Sequence, residues 1–250
     1  MIEFRDVSKS FGGRPILTDV DIAVERGETL AIIGGSGTGK SVFLKHILGV
    51  LAPDQGHVLF EGRDVAMMTE AELIAMRRRI GMLFQGAALF DSLTVAENIR
   101  YPLLEHAHET EEKLQRIVAE KLRLVGLLGI EEMMPNDLSG GMKKRVGLAR
   151  AIAINPDVIL YDEPTAGLDP ANTKRICRLI VELQEKLKVT SIVVTHDMES
   201  AFAITDRIAL LSGGKFAFVG TASEARASIN PLVQHFIEGD TESVMKREEP

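Results

Sequence analysis

One octapeptide constrains this chain more than any other feature. Gly34-Gly35-Ser36-Gly37-Thr38-Gly39-Lys40-Ser41 follows a continuous apolar run, Leu30-Ala31-Ile32-Ile33. It precedes apolar residues at helical spacing: Val42, Phe43, Leu44, Ile47 and Leu48. The spacing is G-x-x-x-x-G-K-[ST] in the required setting, with a strand before it and a helix after it. Glycines let the backbone curl so that its N–H groups converge on an anion, and the helix start adds positive dipole. Such a turn places Lys40 to reach β- and γ-phosphates and the Ser41 hydroxyl to ligate Mg²⁺. A plain glycine-rich turn with a solvated lysine is the alternative; the flanking strand and helix argue against it.

Two further runs, Val158-Ile159-Leu160-Tyr161 and Ile192-Val193-Val194, are continuously apolar and lead into polar residues and helical patterns. Strands of a parallel sheet covered on both faces have this pattern. The first sixty residues differ. Val20, Ile22 and Val24 alternate with Asp21, Ala23 and Glu25, as do Ile2 with Phe4 and Val58 with Phe60, which predicts antiparallel, half-buried strands. Helix starts are marked by Thr69 with Glu72, Thr94 with Glu97, Thr221 with Glu224, and Asp169 before Pro170. Leu114, Ile117, Val118, Leu122 and Val125 form one helical stripe. No strand-like run occurs from Gln85 to Pro156, so a helical subdomain is expected between parallel strands.

Composition narrows the class. Hydrophobic residues make up 45% and charged residues 26%, an ordinary globular mix. No run approaches the ~18 apolar residues of a spanning helix. Thirty-six acidic against 29 basic residues leave a net charge of −7, which argues against a broad grip on nucleic acid. Cys177, the single cysteine, excludes an internal disulfide and a Cys-rich zinc site, fits a reducing compartment and is expected to be packing. Met1-Ile2-Glu3-Phe4-Arg5-Asp6 has no basic stretch leading into an apolar one, so no secretion signal is expected. The histidines His46, His57, His106, His108 and His235 have no ligand spacing, and the pairs Met67-Met68 and Met133-Met134 are expected to be packing or interface filler.

Asp162-Glu163 closes the run Val158–Tyr161. Ligands of open parallel sheets sit beyond the carboxyl ends of the strands. Asp162 is then placed to hold Mg²⁺ and Glu163 to orient or deprotonate an attacking water. Two solvated carboxylates at a strand end would be the bland reading; the phosphate-type loop weighs against it.

Upstream stands Leu138-Ser139-Gly140-Gly141-Met142. With this segment, and with the motifs in family order over roughly residues 1 to 220, the sequence resembles the ATP-binding subunits of ABC transporters. The resemblance implies an α/β P-loop NTPase fold, with a RecA-like parallel core, N-terminal antiparallel strands and an inserted α-helical subdomain. It implies a nucleotide-binding core of residues 1–84 and 157–220, a signature subdomain of 85–156, and a C-terminal helix and charged tail of 221–250. It implies ATP and Mg²⁺ as cofactors, ATP being held by Gly34, Gly35, Ser36, Gly37, Thr38, Gly39, Lys40 and Ser41. Phe11 stands where an aromatic residue stacks on adenine, often a tyrosine. Gln85 looks like the glutamine that contacts Mg²⁺ and the attacking water, and Glu163 like the catalytic glutamate. His196 looks like the histidine at the γ-phosphate. Ser139, Gly140 and Gly141 look like the signature that clamps ATP held by a second subunit, and Asp169 like the aspartate that bridges the two. Met142 departs from the usual glutamine. Phe11 read as plain packing, His196 as a strand-end histidine and Ser139 as a simple helix cap are the alternatives.

The resemblance also implies partners. One signature and one phosphate loop per chain call for a homodimer, and the lack of a spanning run calls for a separate integral membrane permease. Leu89, Phe90 and Leu93 form an apolar cluster suited to a short permease helix, with a subdomain core as the alternative. Phe84–Val95, Glu97-Asn98-Ile99, Tyr101-Pro102-Leu103, Met142 and Gln234-His235-Phe236-Ile237 are similar to the ATPases of Mla/Mce-type phospholipid transport systems. That similarity implies a lipid-binding Mce-type ring protein, a small regulatory subunit and a peripheral location on the cytoplasmic face of the inner membrane. An ATPase for amino-acid, metal or drug transport, or a soluble non-transport ABC ATPase, are the rival readings.

Overall fold

A computed structural model describes residues 1–104 and 110–238. His106, His108 and the charged tail from Gly239 lie outside the described residues. In chain order the strands and helices begin β1 (Ile2–Phe11), β2 (Arg14–Val24), β3 (Thr29–Ile33), α1 (Lys40–Ile47), β4 (Gln55–Phe60), β5 (Arg63–Asp64), α2 (Glu70–Arg77) and β6 (Ile80–Leu83). There follow α3 (Val95–Leu104), α4 (Glu111–Leu124), α5 (Gly140–Ala151), β7 (Val158–Asp162) and α6 (Pro170–Leu187). The chain continues with β8 (Thr190–Thr195), α7 (Met198–Ile204), β9 (Arg207–Ser212), β10 (Lys215–Thr221), α8 (Ala222–Ala227) and α9 (Pro231–Glu238). Two compact units result: Met1–Arg77 with the chain from Thr190, and Arg78–Val189.

In the first unit, β1 pairs antiparallel with β2 and with β4, in the order β2-β1-β4-β5. The register Ile2↔Val24, Phe4↔Ile22 and Val7↔Val20 aligns the buried residues on one face, as the alternation predicts. Phe4 stacks on Phe43 of α1 with ring centroids 3.9 Å apart, so this sheet covers the helix that follows the glycine-rich turn. β3 lies parallel to β8 and to β9, with Leu30↔Ile192 and Ile33↔Leu210. Every residue of β3 is buried, which is why its sequence has no polar alternation. The sequence reading assigned no strand to residues 207–221. There β9 is a buried run and β10 hairpins onto it antiparallel with mostly half-buried residues, so neither gives a clean period of two. Val233 and Phe236 of α9 close the core over Ile33, Ile208 and Leu210.

The caps are as predicted. The Thr69 N–H donates to Glu72 at 2.8 Å, and Thr221 forms a reciprocal box with Glu224. Met67 is not packing within this chain, which leaves the interface alternative. It is 81% exposed, because the short turn Val65–Met67 buries Val65 instead.

In the second unit, β6 and β7 pair parallel from Ile80↔Val158 to Leu83↔Tyr161. The described chain between them holds helices and no strand. α4 buries Leu114, Val118 and Leu122, with Val125 just beyond, and leaves Ile117 half-buried. Asp169 caps α6 ahead of Pro170, and Cys177 is buried on that helix as packing. Asn98 is fully buried on α3. Its Nδ2 donates to the carbonyls of Phe90, Leu93 and Thr94, and its Oδ1 accepts from the Phe90 N–H at 2.8 Å. One side chain therefore fixes the turn that displays Phe90.

Candidate active site

The glycine-rich turn spans the gap between the end of β3 at Ile33 and the start of α1 at Lys40. Gly39 caps α1 with φ 104°, and a Cβ there would lie 2.9 Å from Ile16 Cγ2. Only glycine meets both demands. Thr38 Oγ1 donates to the Gly35 carbonyl at 3.0 Å. Lys40 is only 8% exposed, and its Nζ donates to the carbonyls of Gly34 and Gly35, both at 2.8 Å. The ammonium is thus held across the turn, while Ser36 and Gly37 at its tip and Ser41 beyond it face solvent. A desolvated cation beside a curled backbone at a helix start suits a phosphate chain.

Two other expected residues belong to this unit. Ile33 and Thr195 are register partners, so His196, one residue on, flanks the turn at the same end of the sheet. It is exposed, and Asp197 behind it caps α7. Phe11 ends β1 at 49% exposure, with Lys9 Nζ 5.6 Å from its ring centroid. Plain core packing does not account for that exposure.

The second unit carries the acidic pair. Leu83 and Tyr161 are register partners, so Gln85 and Glu163 each stand two residues past the same rung. Asp162 is half-buried and Glu163 is 9% exposed. Glu163 has φ 47°, a left-handed backbone that non-glycine residues adopt at a cost of ~1–3 kcal/mol. Its carbonyl accepts from Lys144 Nζ at 2.9 Å and from the Ala166 N–H at 3.2 Å. Lys144 Nζ also donates to the Gln85 carbonyl. Further along the same loop, Arg150 donates to the carbonyls of Ala87 and Ala88, both at 2.7 Å. Both alanines are left-handed, at φ 61° and 47°. Helix α5 therefore grips the Gln85 loop with two cations. Sequence reasoning missed both. The legible signal was Lys144 in register with Leu148 and Ala151, a cation at i of an apolar i, i+4, i+7 stripe.

The signature segment opens α5. Ser139 Oγ accepts from the Met142 N–H at 3.3 Å, so the cap reading of Ser139 holds. Ser139 and Gly140 are exposed and Gly141 is buried. A Cβ on Gly141 would lie 2.5 Å from Asn172 Oδ1. Asn172 also donates, through its backbone and its side chain, to Asp169. Those bonds, the backbone one foremost, hold the Asp169 carboxyl below its usual range. Asn172, also missed from sequence, thereby links Asp169 to Gly141. Gly141→Ala must push Asn172 aside, and the overpacking is expected to cost ~1–3 kcal/mol of folding stability. A lower midpoint in denaturant unfolding checks this.

The family model described as "ABC transporter" matches residues 17–166. A curated relative from Haemophilus influenzae, "Intermembrane phospholipid transport system ATP-binding protein MlaF", is 40% identical over all of this chain and 95% of its own length. "Probable ribonucleotide transport ATP-binding protein mkl" from Mycobacterium leprae is 40% identical over 95% of this chain and 69% of its own. Among solved structures, "Dimeric structure of a post-hydrolysis state of the ATP-binding cassette MJ0796 bound to ADP and Pi" superposes with a TM-score of 0.81 at 33% identity, covering 88% of this chain and 98% of that one.

Proposed function

Because the chain belongs to the ABC transporter family and is an ATP-hydrolysing subunit of that family, we propose that it powers a separate permease that moves phospholipids between inner and outer membranes. The full-length similarity to MlaF carries the lipid reading. In this reading residues 1–84 with 157–220 form the nucleotide-binding core. Residues 85–156 form the arm that bears the signature and meets the permease, while α8 and α9 pack on the core of the first unit. No described helix is long and apolar enough to cross a membrane, which fits a peripheral subunit working beneath a permease on the cytoplasmic face. A lipid-binding Mce-type ring protein and a small regulatory subunit complete the proposed assembly; nucleic acid has no place in it.

The chemistry follows from the residues. Phe11 stacks on adenine, and Lys40 with the turn's N–H groups holds the β- and γ-phosphates. Ser41, Gln85 and Asp162 are hard oxygen donors of the kind Mg²⁺ takes. When bound, that ion neutralises charge on the phosphate oxygens. Glu163 accepts a proton from water as its oxygen attacks the γ-phosphorus, and the bond to ADP breaks. Gln85 orients that water and His196 steadies the γ-phosphate. Two copies close on two ATP molecules, with Ser139, Gly140, Gly141 and Asp169 of one meeting the nucleotide of the other. Closing and reopening is the motion passed to the permease.

The permease contact is assigned to the loop after Gln85. Phe90 is 42% exposed, and its ring lies 4.7 Å from that of Tyr101, itself 39% exposed. Arg150 stands 5.9 Å over Phe90. Leu93 is half-buried. Phe90→Asp is expected to spare the fold and to lower recovery of the membrane complex by tenfold or more (about 2 kcal/mol for a central aromatic anchor). The test is a tagged pull-down from gently solubilised membranes, with proteins and lipids read by mass spectrometry. A permease, a ring protein and phospholipid are expected with the parent chain. Recovery of a different permease with a solute-binding protein would overturn the lipid cargo. Co-purified ribonucleotide with no lipid would favour the cargo named for the mycobacterial relative.

A further inference from the structure

We propose that Lys144 is a positioning residue for ATP hydrolysis, tying the carbonyl of Gln85 to the carbonyl of Glu163 so that the two side chains keep one register. The proposal rests on the roles given above to Glu163 and Gln85. Its footing is geometric. One ammonium donates to both carbonyls, the bond to Glu163 being 2.9 Å. Lys144 is 4% exposed, so these bonds form away from competing water. Burial of a lysine is costly, and it pulls the ammonium below the usual lysine range while the charges of Asp162 and Glu163 pull it back up.

The need is visible at both ends. Glu163 has a left-handed backbone, which persists only where the surroundings hold it. Lys144 supplies one of the bonds that do so. At the other end Gln85 begins the loop whose left-handed alanines Arg150 fastens to the same helix. A displacement of that loop therefore reaches the backbone of Glu163 through a single side chain. The carboxylate's aim then depends on where the loop stands. Neutral residues of the same length cannot do this: methionine lacks the donors. Arginine supplies two or more in a fork and is expected to bridge the same pair.

The test uses the full-length chain isolated with its membrane complex. Lys144→Met is expected to lower kcat by about tenfold or more with KM within about twofold, the pattern of a lost transition-state interaction. Lys144→Arg is expected to recover most of the parent rate. In the Glu163→Gln background, Lys144→Met is expected to cost nothing further, because both act on the same carboxylate. If Lys144→Met cannot be isolated folded, Lys144→Leu, which also lacks donors, is measured by the same criteria in the Lys144→Arg comparison, and failure of every donor-free variant to fold while Lys144→Arg folds with a tenfold lower kcat overturns the proposal. Parental kcat in the Lys144 variant, a loss that arginine does not rescue, or full additivity with Glu163→Gln overturns the proposal. An inactive Glu163→Gln beside a parental Lys144→Met sinks the Lys144 role alone. A fully active Glu163→Gln sinks the reading of Glu163 and this inference with it.

Discussion

Glu163→Gln is expected to cut ATP turnover by about 10²–10⁴-fold, the range for losing a general base, while nucleotide affinity holds within about twofold. Glutamine keeps the size of the side chain and the left-handed backbone at φ 47°, and the bond from Lys144 reaches the residue's carbonyl and not its carboxylate. The mutation therefore removes basicity and leaves the frame in place. Binding without turnover should hold the two copies closed on ATP. Size-exclusion chromatography or native mass spectrometry with ATP should show a dimer for the variant and a mostly dissociated parent. If the variant hydrolyses ATP at the parent rate, Glu163 is not the base, and Asp162 becomes the candidate.

What the sequence disclosed and what it hid divide along physical lines. Residues with special backbone demands were legible: Gly39, and the cap residues Ser139 and Asp169, because few residue types meet such local constraints. Buried strands such as β3 and β7 were legible from unbroken apolar runs. Bonds from a side chain to a distant carbonyl were not. Lys144 reaches Gln85 across 59 positions and Arg150 reaches Ala88 across 62, and no short pattern encodes an acceptor that every residue carries. Asn98 was hidden for the same reason, since its partners are backbone groups of an irregular turn. The hairpin β9–β10 was hidden because one strand is a buried run and the other is mostly half-buried, so the period-two signal vanishes.

Lys40→Ala has the second large expected effect. Lys40 does two things at once. Its charge sits in a turn of exposed tip and buried base, and its Nζ occupies the carbonyls of Gly34 and Gly35 at 2.8 Å. Alanine removes the charge and leaves both carbonyl dipoles facing any incoming phosphate without a cation between them. Hydrogen bonds to charged groups contribute about 1.5–3 kcal/mol each. Losing one or two of them to the β- and γ-phosphates predicts a rise in ATP Kd of about 10²-fold, with turnover falling alongside. Lys40→Arg separates the two effects. It keeps the charge, but its larger planar head must fit where a compact ammonium now bridges two carbonyls, so affinity is expected between parent and alanine. The measurement is a fluorescent-nucleotide titration of each variant, repeated at raised ionic strength. The gap between parent and alanine should narrow with salt if charge carries the effect, less so for a buried pair. A nucleotide titration unchanged by alanine would remove Lys40 from the phosphate site and leave the turn's backbone N–H groups to hold the anion alone.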